Sequence, residues 1–377
     1  MAIDNKDKKV LNVPHLRFPE FSGEWDSFKL VELGKFIGGG TPSSSNLSFW
    51  TGSIPWISSS DIKEDNINNI SISRYITEDA IEKSATKYCP APVILIVSRV
   101  GVGKVALSHT SLCTSQDFCN IIEIKCHPVF LSYNLLRTMK RKSREVQGTS
   151  IKGITSDELQ KIRVFIPKNK DEQNKISNLL TLLDERIATQ NKIIDKLQSL
   201  IKGIAQNVAH NNKPNISLSE CLECSSSTLQ ESDVCENGTY PVYGANGIVG
   251  YLDNYNTEKE AVYIIKDGSG VGAVSYVTGK CSATGTLNTL QAKEGHSLQY
   301  LYYILKVFNF EPYKTGMAIP HIYFKDYGKA KIFCPPYQEQ LRYAKMLSAI
   351  DDKLLAEQNV LTNLSLQKQY LLRQMFI

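Results

Sequence analysis

The 377-residue sequence lacks long hydrophobic runs, a strong excess of charge of one sign, and a regular cysteine pattern. Its best apolar run, Ala91 to Val97, is too short to span a bilayer, and the polar stretch Met1 to Lys9 has no apolar core of the signal-peptide kind. Nine cysteines without regular spacing are more typical of a reducing compartment than of a disulfide framework. We therefore expect a cytoplasmic protein without a membrane partner.

Charge alone does not identify a binding partner. The 43 basic and 38 acidic residues give a net charge of +5. This small excess is compatible with nucleic-acid binding but is not evidence for it, because only a local basic patch would indicate such a binding surface.

Complete catalytic motifs are also missing. Cys334-Pro-Pro-Tyr337 resembles the motif of amino-methyltransferases, but cysteine lacks the oxygen acceptor that holds the target amino group. Gly101-Val-Gly-Lys104 resembles a phosphate-binding loop, yet Ser98 replaces its first glycine and Val105 its magnesium-binding Ser/Thr. No glycine-rich S-adenosylmethionine motif or nuclease metal cluster is present. We expect no catalytic residue, no cofactor bound by this chain, and no enzyme activity of its own.

Cys221 and Cys224 have a spacing that could supply two zinc ligands, with Cys235 and Cys281 as remote candidates. A second closely spaced pair is missing, however. Free thiols in the core are the favoured interpretation, and we expect no metal.

What the sequence does contain is an internal duplication. The matching segments are 168 residues apart, or 167 after one deletion. They are Gly148 to Ile154 with Gly316 to Ile322, Ile166-Pro167 with Cys334-Pro335, Glu172-Gln173 with Glu339-Gln340, and Asp184 to Arg186 with Asp351 to Lys353. Two related halves predict an approximate two-fold axis within one chain, and double-helical DNA has a matching axis.

Each repeat contains a long helix with a hydrophobic stripe of 3.5-residue period, which predicts a coiled-coil seam. For a single copy, packing on its own globular domain would be favoured, but two matching seams favour mutual pairing. The first seam is Ile176, Leu180, Leu183, Ile187, Gln190, Ile194, Leu197, Ile201, Ile204 and Val208. The second is Tyr343, Leu347, Ile350, Leu354, Glu357, Leu361, Leu364, Lys368, Leu371 and Met375.

Gln190 and Glu357 interrupt the two seams at equivalent central positions. They either set the register at some cost in stability or are two tolerated polar residues. Each globular segment ends where its helix begins, so antiparallel pairing is the simpler topology.

The segments outside the helices predict mixed α and β structure, because short strand-like runs alternate with Gly, Ser and Asn. These runs include Ile54–Ile57, Val93–Val97 and Val102–Leu107 in the first half and Ala261–Ile265 in the second. We therefore predict an α+β protein with two tandem mixed domains joined by two long helices in an antiparallel coiled coil. The expected divisions are 1–20, 21–167, 168–212, 213–335 and 336–377. Whether the first twenty residues pack against the second helix is left open.

Several segments, in the same order, resemble the specificity subunits of type I restriction-modification systems. They are Pro14 to Trp25 (PHLRFPEFSGEW), Ile54 to Ile62 (IPWISSSDI), Gly148 to Ile154 with the following Ile166-Pro167 and Glu172-Gln173, and Tyr240 to Gly247 (YPVYGANG). The resemblance covers essentially the whole chain.

This resemblance implies an N-terminal arm (1–20), target recognition domains (21–167 and 213–335), each reading half of a split DNA sequence, and conserved helical regions (168–212 and 336–377). It implies two methyltransferase subunits as partners and, through them, restriction and translocation subunits. S-adenosylmethionine, ATP and magnesium would belong to those partners. The alternatives are a self-contained modification enzyme, disfavoured by the missing motifs, and a coiled-coil DNA-binding regulator or scaffold without a methyltransferase partner.

Residues that could contact DNA lie in loops beside the duplicated segments, where Gly, Ser, Thr and Asn let the backbone approach phosphates and Lys, Arg, Asn and Gln supply donors. For any one of them an ordinary turn is the favoured explanation; as a set they predict a binding surface. In the first half they are Ser58, Ser59, Ser60, Ser98, Arg99, Lys104, Gln147, Thr149, Ser150 and Lys152. In the second they are Tyr243, Asn246, Lys266, Ser269, Thr284, Thr286, Asn288, Lys314 and His321.

Overall fold

The computed structural model describes residues 11–146, 153–316 and 318–377. The chain divides into two compact units, one containing residues up to Thr189 together with Leu361–Ile377 and the other containing Gln190–Val360. Both units combine helices with small sheets, so the predicted α+β class is confirmed.

Among its described residues the first unit contains three small sheets. Its strands are β1 (Asp26–Lys29), β2 (Lys35–Gly38), β3 (Ile54–Ile57), β4 (Arg74–Ile76), β5 (Tyr88–Cys89), β6 (Val93–Val97), β7 (Val105–Ser108), β8 (Leu112–Thr114), β9 (Phe118–Ile122) and β10 (Arg163–Ile166). Its helices are α1 (Leu30–Leu33), α2 (Glu78–Glu82), α3 (Pro128–Val146), α4 (Ser156–Lys161) and the first part of α5 (Lys170–His210).

The central sheet of this unit has the order β2-β9-β6-β7 and is antiparallel. Strand β6 is buried on both faces, which explains its unbroken apolar sequence. Ile94 and Ile96 face the core formed with α3, whereas Val93, Leu95 and Val97 join a second core. A second sheet, β4-β3-β8-β5, contains a parallel pair, β3 with β8, and β1 pairs with β10.

The second unit repeats the central sheet, the parallel strand pair and the two-stranded sheet of the first, although its sequence has diverged and its second sheet has three strands instead of four. Its strands are β11 (Ile216–Ser217), β12 (Leu222–Ser226), β13 (Tyr240–Gly244), β14 (Gly247–Leu252), β15 (Ala261–Ile265), β16 (Val274–Val277), β17 (Ser282–Ala283), β18 (Leu287–Ala292) and β19 (Lys331–Ile332). Its helices are the second part of α5, α6 (Leu218–Cys221), α7 (Leu298–Val307), α8 (Phe324–Tyr327) and most of α9 (Tyr337–Gln374). The central sheet β12-β18-β15-β16 matches β2-β9-β6-β7, the parallel pair β13 with β17 matches β3 with β8, and β11 with β19 matches β1 with β10.

One strand boundary differs from the sequence prediction. We expected a strand over Val102–Leu107, but β7 begins at Val105. Gly101 and Gly103 have φ angles of 87° and 113°, which belong to a turn and are incompatible with an extended strand.

Helices α5 and α9 pair antiparallel within each unit, as predicted. In the first unit Leu180 and Leu183 of α5 share a core with Leu371 and Met375 of α9. In the second, residues near the end of α5 pack against residues near the start of α9: Ile201 and Ala205 with Leu347, and Val208 with Ala344. All ten seam positions of each helix are buried or half-buried.

The polar seam residues Gln190 and Glu357 bond to each other in the second unit. Gln190 Nε2 donates to the backbone oxygen of Glu357 at 3.0 Å and also to its carboxylate. Lys353 Nζ lies 2.5 Å from the same carboxylate. A direct polar contact between the two helices favours the interpretation that this pair sets the register.

Replacing both residues, Gln190→Leu with Glu357→Leu, should therefore stabilise the helix pair while weakening the specification of register. We expect the free energy of unfolding to rise by about 1–4 kcal/mol, as when a buried polar pair is replaced by apolar side chains. Urea denaturation measures this change, and Gln198→Leu, an exposed position of the same helix, is the matched control. A double variant less stable than the wild type would contradict the prediction.

Two polar contacts are duplicated between the units. In the first contact, Tyr133 Oη donates to Asp184 Oδ2 at 2.8 Å, and Tyr303 Oη donates to Asp351 Oδ2 at 2.7 Å.

The second duplicated contact is a glutamine clamp at the first turn of each long helix. The glutamine side chain accepts a hydrogen bond from a backbone N–H at the start of α3 in the first unit or α7 in the second. The same side chain donates to the carbonyl of a proline that precedes the long helix. The clamps are His127, Gln173 and Pro167 in the first unit and Ser297, Gln340 and Pro335 in the second.

The described part of the N-terminal arm packs against the first unit. The backbone N–H of Leu16 donates to the carbonyl of Gln374 at 2.9 Å. Arg17 donates to both carboxylate oxygens of the buried Glu172, at 2.7 and 2.8 Å, and Trp25 Nε1 donates to the same carboxylate at 3.1 Å. The question that the sequence left open is therefore answered for residues 11–20.

Candidate nucleic-acid interface

In the first unit the predicted DNA-contacting serines lie in a tight turn after β3. The turn Ser59–Asp61 is a single 3-10 turn, and Asp61 accepts the backbone N–H of Ser58 at 2.7 Å. Arg74 donates to Ser58 Oγ at 2.7 Å, and the hydroxyls of Ser58 and Ser60 are 2.8 Å apart. The backbone N–H and the hydroxyl of Ser58 are thus hydrogen-bonded within the protein, whereas Ser60 is exposed.

The β6–β7 loop contacts this serine turn. Lys104 Nζ donates to the carbonyl of Ser59 at 3.2 Å. Ser98 is buried, but Arg99 is exposed at the loop tip, next to Val100, which is 66% exposed. The loop therefore offers an arginine and an apolar side chain to a partner. Because β7 follows the Gly101–Lys104 turn, and not a helix, the turn lacks the helix N-terminus on which a phosphate-binding loop depends.

A duplicated backbone bond holds the loops of both units. In the first unit Ile154 N–H donates to Ser98 O at 2.7 Å, and in the second Ile322 N–H donates to Lys266 O at 2.9 Å. Each bond joins a repeated Gly-to-Ile segment to the loop that follows the central strand. The predicted residues Gln147, Thr149, Ser150 and Lys152 lie outside the described residues.

Next to the β6–β7 loop is a basic groove that the sequence analysis missed. It encloses about 290 Å³ and is lined by Arg137, Lys140, Arg141, Arg144, Gln369, Leu372 and Arg373. Gly103 of the loop lies against α3, where a β-carbon would be 3.2 Å from Ser143 Oγ. The signal was present in the sequence as Lys140-Arg-Lys-Ser-Arg144, but only folding brings it beside Arg373.

The charges in this groove are close enough to affect one another. Burial, and then the neighbouring Arg141, lower the pKa of Arg137, whose Nη1 donates to the carbonyl of Ile377 at 2.5 Å. Lys140 pairs with Asp65. A groove that concentrates guanidinium groups is suited to anions such as phosphate, because guanidinium binds phosphate oxygens with paired donors.

In the second unit the candidates divide into surface residues and residues used internally. Tyr243 accepts the backbone N–H of Thr284 at 2.9 Å through its carbonyl, and its ring packs edge-on against Tyr263 at 5.7 Å. Burial, with nearby Cys281 and Tyr251, raises the pKa of Tyr243, so its hydroxyl remains a neutral donor. Asn246 and Ser269 are exposed.

Three predicted residues on or next to β18 are bonded inside the unit. Thr284 and Asn288 are only 1% and 4% exposed. The hydroxyls of Thr284 and Thr286 are 2.8 Å apart, and Ser226 Oγ donates to Asn288 Oδ1 at 2.7 Å. These side chains therefore support the neighbouring loops in the structure described.

His321 lies on a short hairpin beside the β15–β16 loop. Its Nδ1 is 2.6 Å from Asp267 Oδ1, and its backbone exchanges two hydrogen bonds with Thr315, at 2.8 and 2.9 Å. Lys314 forms an ion pair with Glu311 at 2.6 Å. The ion pair of Lys314 with Glu311 reduces the free positive charge that this unit offers.

None of the described helices combines the length and hydropathy that crossing a membrane requires. Among the cysteines considered as zinc ligands, Cys221 ends α6, Cys224 lies on β12, Cys235 is exposed and Cys281 is buried.

The chain matches the family model described as the type I restriction modification DNA specificity domain twice, over residues 22–199 and 215–364. These two matches cover most of both units. The chain belongs to this family.

Individual relatives agree with this assignment. The chain is 33% identical over 186 residues to the type I restriction enzyme MjaIX specificity subunit of Methanocaldococcus jannaschii, covering 46% of this chain and 42% of that protein. It is 34% identical over 177 residues to the EcoR124I/EcoR124II specificity subunit of Escherichia coli, covering 45% and 43%. The matched part thus spans less than half the length of these two relatives.

Two further matches cover nearly the full chain. The EcoprrI specificity subunit of Escherichia coli is 23% identical over 359 residues, or 87% of each chain. The crystal structure of the S subunit of a type I system from M. genitalium aligns over 97% of this chain and 99% of that one, with a TM-score of 0.65 at 20% identity. At this identity the structural match shows the shared fold.

Proposed function

We propose that the chain is the DNA sequence-specificity subunit of a type I restriction-modification complex. It recognises a bipartite DNA sequence and directs adenine methylation and restriction by partner subunits. The proposal rests on one observation: the two units share a repeated scaffold but hold loops of different sequence. The central sheets, the glutamine clamps and the Ile154 and Ile322 bonds repeat, whereas the loops that they hold differ in sequence.

The target recognition domains are residues 21–167 and 213–335. In the first, we assign base and backbone contacts to the turn at Ser58–Ser60 and to the loop carrying Arg99 and Lys104. In the second, Tyr243, Asn246 and Ser269, with the weaker candidates Lys266, Lys314 and His321, form the corresponding surface. Exposed Arg and Asn side chains can read guanine and adenine in the major groove.

The basic groove supplies contacts to the DNA backbone. Phosphate contacts position a protein on the duplex without reading its sequence, and they contribute much of the affinity. The groove adjoins the β6–β7 loop through Ser143, so a strand read by that loop would have its phosphates near Arg141 and Arg144.

Catalysis belongs to the partners: two methyltransferase subunits and, through them, restriction and translocation subunits in the cytoplasm. S-adenosylmethionine, ATP and magnesium would be bound by those subunits. The sides of α5 and α9 away from the seam are suited to docking, because they carry exposed apolar residues. These include Leu182, Leu366 and Tyr370 in the first unit and Ile193, Leu200, Met346 and Leu355 in the second.

Long-read methylation sequencing tests the function. A strain expressing the chain with its methyltransferase should show methylated adenine in one split motif, and deletion of this chain should abolish that methylation. The purified chain alone should transfer no methyl group, which separates it from a self-contained modification enzyme. Methylation that is unchanged by the deletion would favour a DNA-binding regulator or scaffold instead.

A further inference from the structure

Three side chains with soft or borderline metal-binding atoms converge in the second unit. Cys221 ends α6, His296 immediately precedes Ser297 at the start of α7, and Cys334 follows β19. The two Sγ atoms and a ring nitrogen of His296 all lie within 4.8 Å of one another. Both cysteines are buried and His296 is half-buried. We call these three residues the Cys-His-Cys cluster.

The cluster has the dimensions of a zinc site. Zinc binds Cys sulfur at about 2.3 Å and His nitrogen at about 2.0–2.1 Å in tetrahedral geometry, which places sulfur and nitrogen ligands about 3.5 Å apart and two sulfurs about 3.8 Å apart. Cys334 Sγ is 3.6 Å from His296 Nδ1. The cluster therefore needs little movement to take up the metal.

The backbone of each cluster residue is held in place by hydrogen bonds. Lys293 N–H donates to Cys221 O at 2.9 Å, and His296 N–H donates to Lys293 O at 3.1 Å. Asn215 bonds both backbone groups of Cys334, at 2.8 Å each. Ligands oriented by such surrounding bonds lose little freedom when a metal binds.

The first unit shows what this position contains when no such cluster is present. In the matching strand pairs Lys29 lies opposite Arg163 and Ser217 opposite Lys331. Leu33 follows Lys29 by the same number of residues as Cys221 follows Ser217, so Leu33 is the equivalent of Cys221. By the same count from Arg163 and Lys331, Ile166 is the equivalent of Cys334.

The third equivalent follows from the glutamine clamps. Because His127 and Ser297 are the backbone donors of the two clamps, the residues directly before them, Cys126 and His296, hold equivalent positions. The equivalents of Cys221, His296 and Cys334 are therefore Leu33, Cys126 and Ile166. Leu33 and Ile166 are both buried, with 4% exposure. Because aliphatic side chains take the places of the two cysteines in one half, packing alone does not require cysteines at these positions in the other.

We propose that Cys221, His296 and Cys334 form a zinc-binding site that ties α6, the start of α7 and the segment entering α9 together. Two thiolates and one neutral imidazole supply three ligands, and water completes the tetrahedron. The site supports the start of the long helix in the second unit, because Cys334 lies in the segment that enters α9. It stands independently of the proposed function, because the metal can be measured without DNA or partner subunits.

The first test measures metal in the full chain without an affinity tag, purified under reducing conditions and then dialysed against zinc. Elemental analysis should find one zinc ion per chain. The double variant Cys221→Leu with Cys334→Ile copies the packing of the first unit and should reduce zinc to background while circular dichroism stays unchanged. Cys224→Ser and Cys281→Ser are matched controls that should retain the metal.

Cobalt provides a second readout if the double variant fails to fold. Co²⁺ in the wild-type chain should give a thiolate-to-cobalt charge-transfer band, and Cys334→Ser should reduce its intensity by about half, because one of two Co–S bonds is lost. Absence of zinc and of this band in the folded wild-type chain would overturn the proposal. So would an intact mass showing a Cys221–Cys334 disulfide in protein purified under the same conditions.

Discussion

Replacing Lys368 with isoleucine is expected to lower the free energy of unfolding by about 3–5 kcal/mol, the usual cost of removing one partner from a buried ion pair. The side chains of Lys368 and Asp184 are only 5% and 4% exposed. Lys368 Nζ contacts the Asp184 carboxylate and the backbone oxygen of Asp65, and Tyr133 donates to the other carboxylate oxygen at 2.8 Å. Without the ammonium group, a carboxylate would remain buried with a single donor among these partners.

The internal repeat supplies the rescue variant. The position equivalent to Lys368 is Ile201, which is buried beside Tyr303 and Leu347 in the second unit. The pair Asp184→Asn with Lys368→Ile removes both charges and keeps an acceptor for Tyr133, so most of the lost stability should return. Lys345→Ile, at an exposed position of α9, should change stability by no more than about 0.5 kcal/mol. Urea denaturation followed by circular dichroism compares the four proteins.

The loss in Lys368→Ile should also depend on pH. Burial raises the pKa of Asp184, while the charge of Lys368 acts in the opposite direction. Removing Lys368 therefore raises the pKa further, and the folded state binds a proton more tightly than the unfolded state does. A group whose pKa is raised by folding favours the folded state in acid and loses that contribution as the pH rises through the folded-state pKa. The deficit should be smaller in mildly acidic than in alkaline buffer, and a deficit independent of pH would contradict this explanation.

The features that the sequence predicts well are local or periodic. The bounds of β3, β6 and β15 agree with their apolar runs, and the two long periodic helices are present as α5 and α9. Helical periodicity is visible in a single sequence because each contact of a seam recurs every three or four residues.

Features that depend on contacts between distant segments were missed. The ion pair of Asp184 and Lys368 requires the antiparallel register of two helices, which periodicity does not give. The spacing of Cys221 and Cys224 raised the possibility of a metal pair, for which free thiols were the favoured alternative, whereas the structure brings His296 and Cys334 to Cys221. Thr284 and Asn288 were predicted at a DNA surface because of their residue types, yet their burial depends on how β18 packs within its sheet.

The basic groove is expected to contribute sequence-independent affinity for DNA. We expect the triple variant Arg141→Gln, Arg144→Gln and Arg373→Gln to bind duplex DNA more weakly by about 1.5–3 kcal/mol, since an exposed charge pair contributes up to about 1 kcal/mol. This corresponds to a loss of roughly tenfold to a hundredfold in affinity. The loss should be equal for duplexes with and without the recognition sequence, because phosphate contacts do not read bases.

Salt dependence separates a phosphate contact from a general loss of structure. Each phosphate contact contributes about 0.9 to the slope of log affinity against log salt concentration, so the triple variant should reduce the magnitude of the slope by nearly 3. Fluorescence anisotropy over a salt series measures both quantities, with the full chain assembled with the methyltransferase subunits proposed above as its partners.

The matched control removes the same number of positive charges from another part of the first unit. Lys125, Lys168 and Lys170 are exposed and line a different cavity, which lies near the first residues of α3. Arg141 and Arg144 lie near the last residues of that helix. Replacing these three lysines with glutamine removes three charges and should leave the slope nearly unchanged, because net charge acts only through screened long-range attraction. Equal slopes for the wild type and the arginine variant would exclude the groove as a phosphate-binding surface.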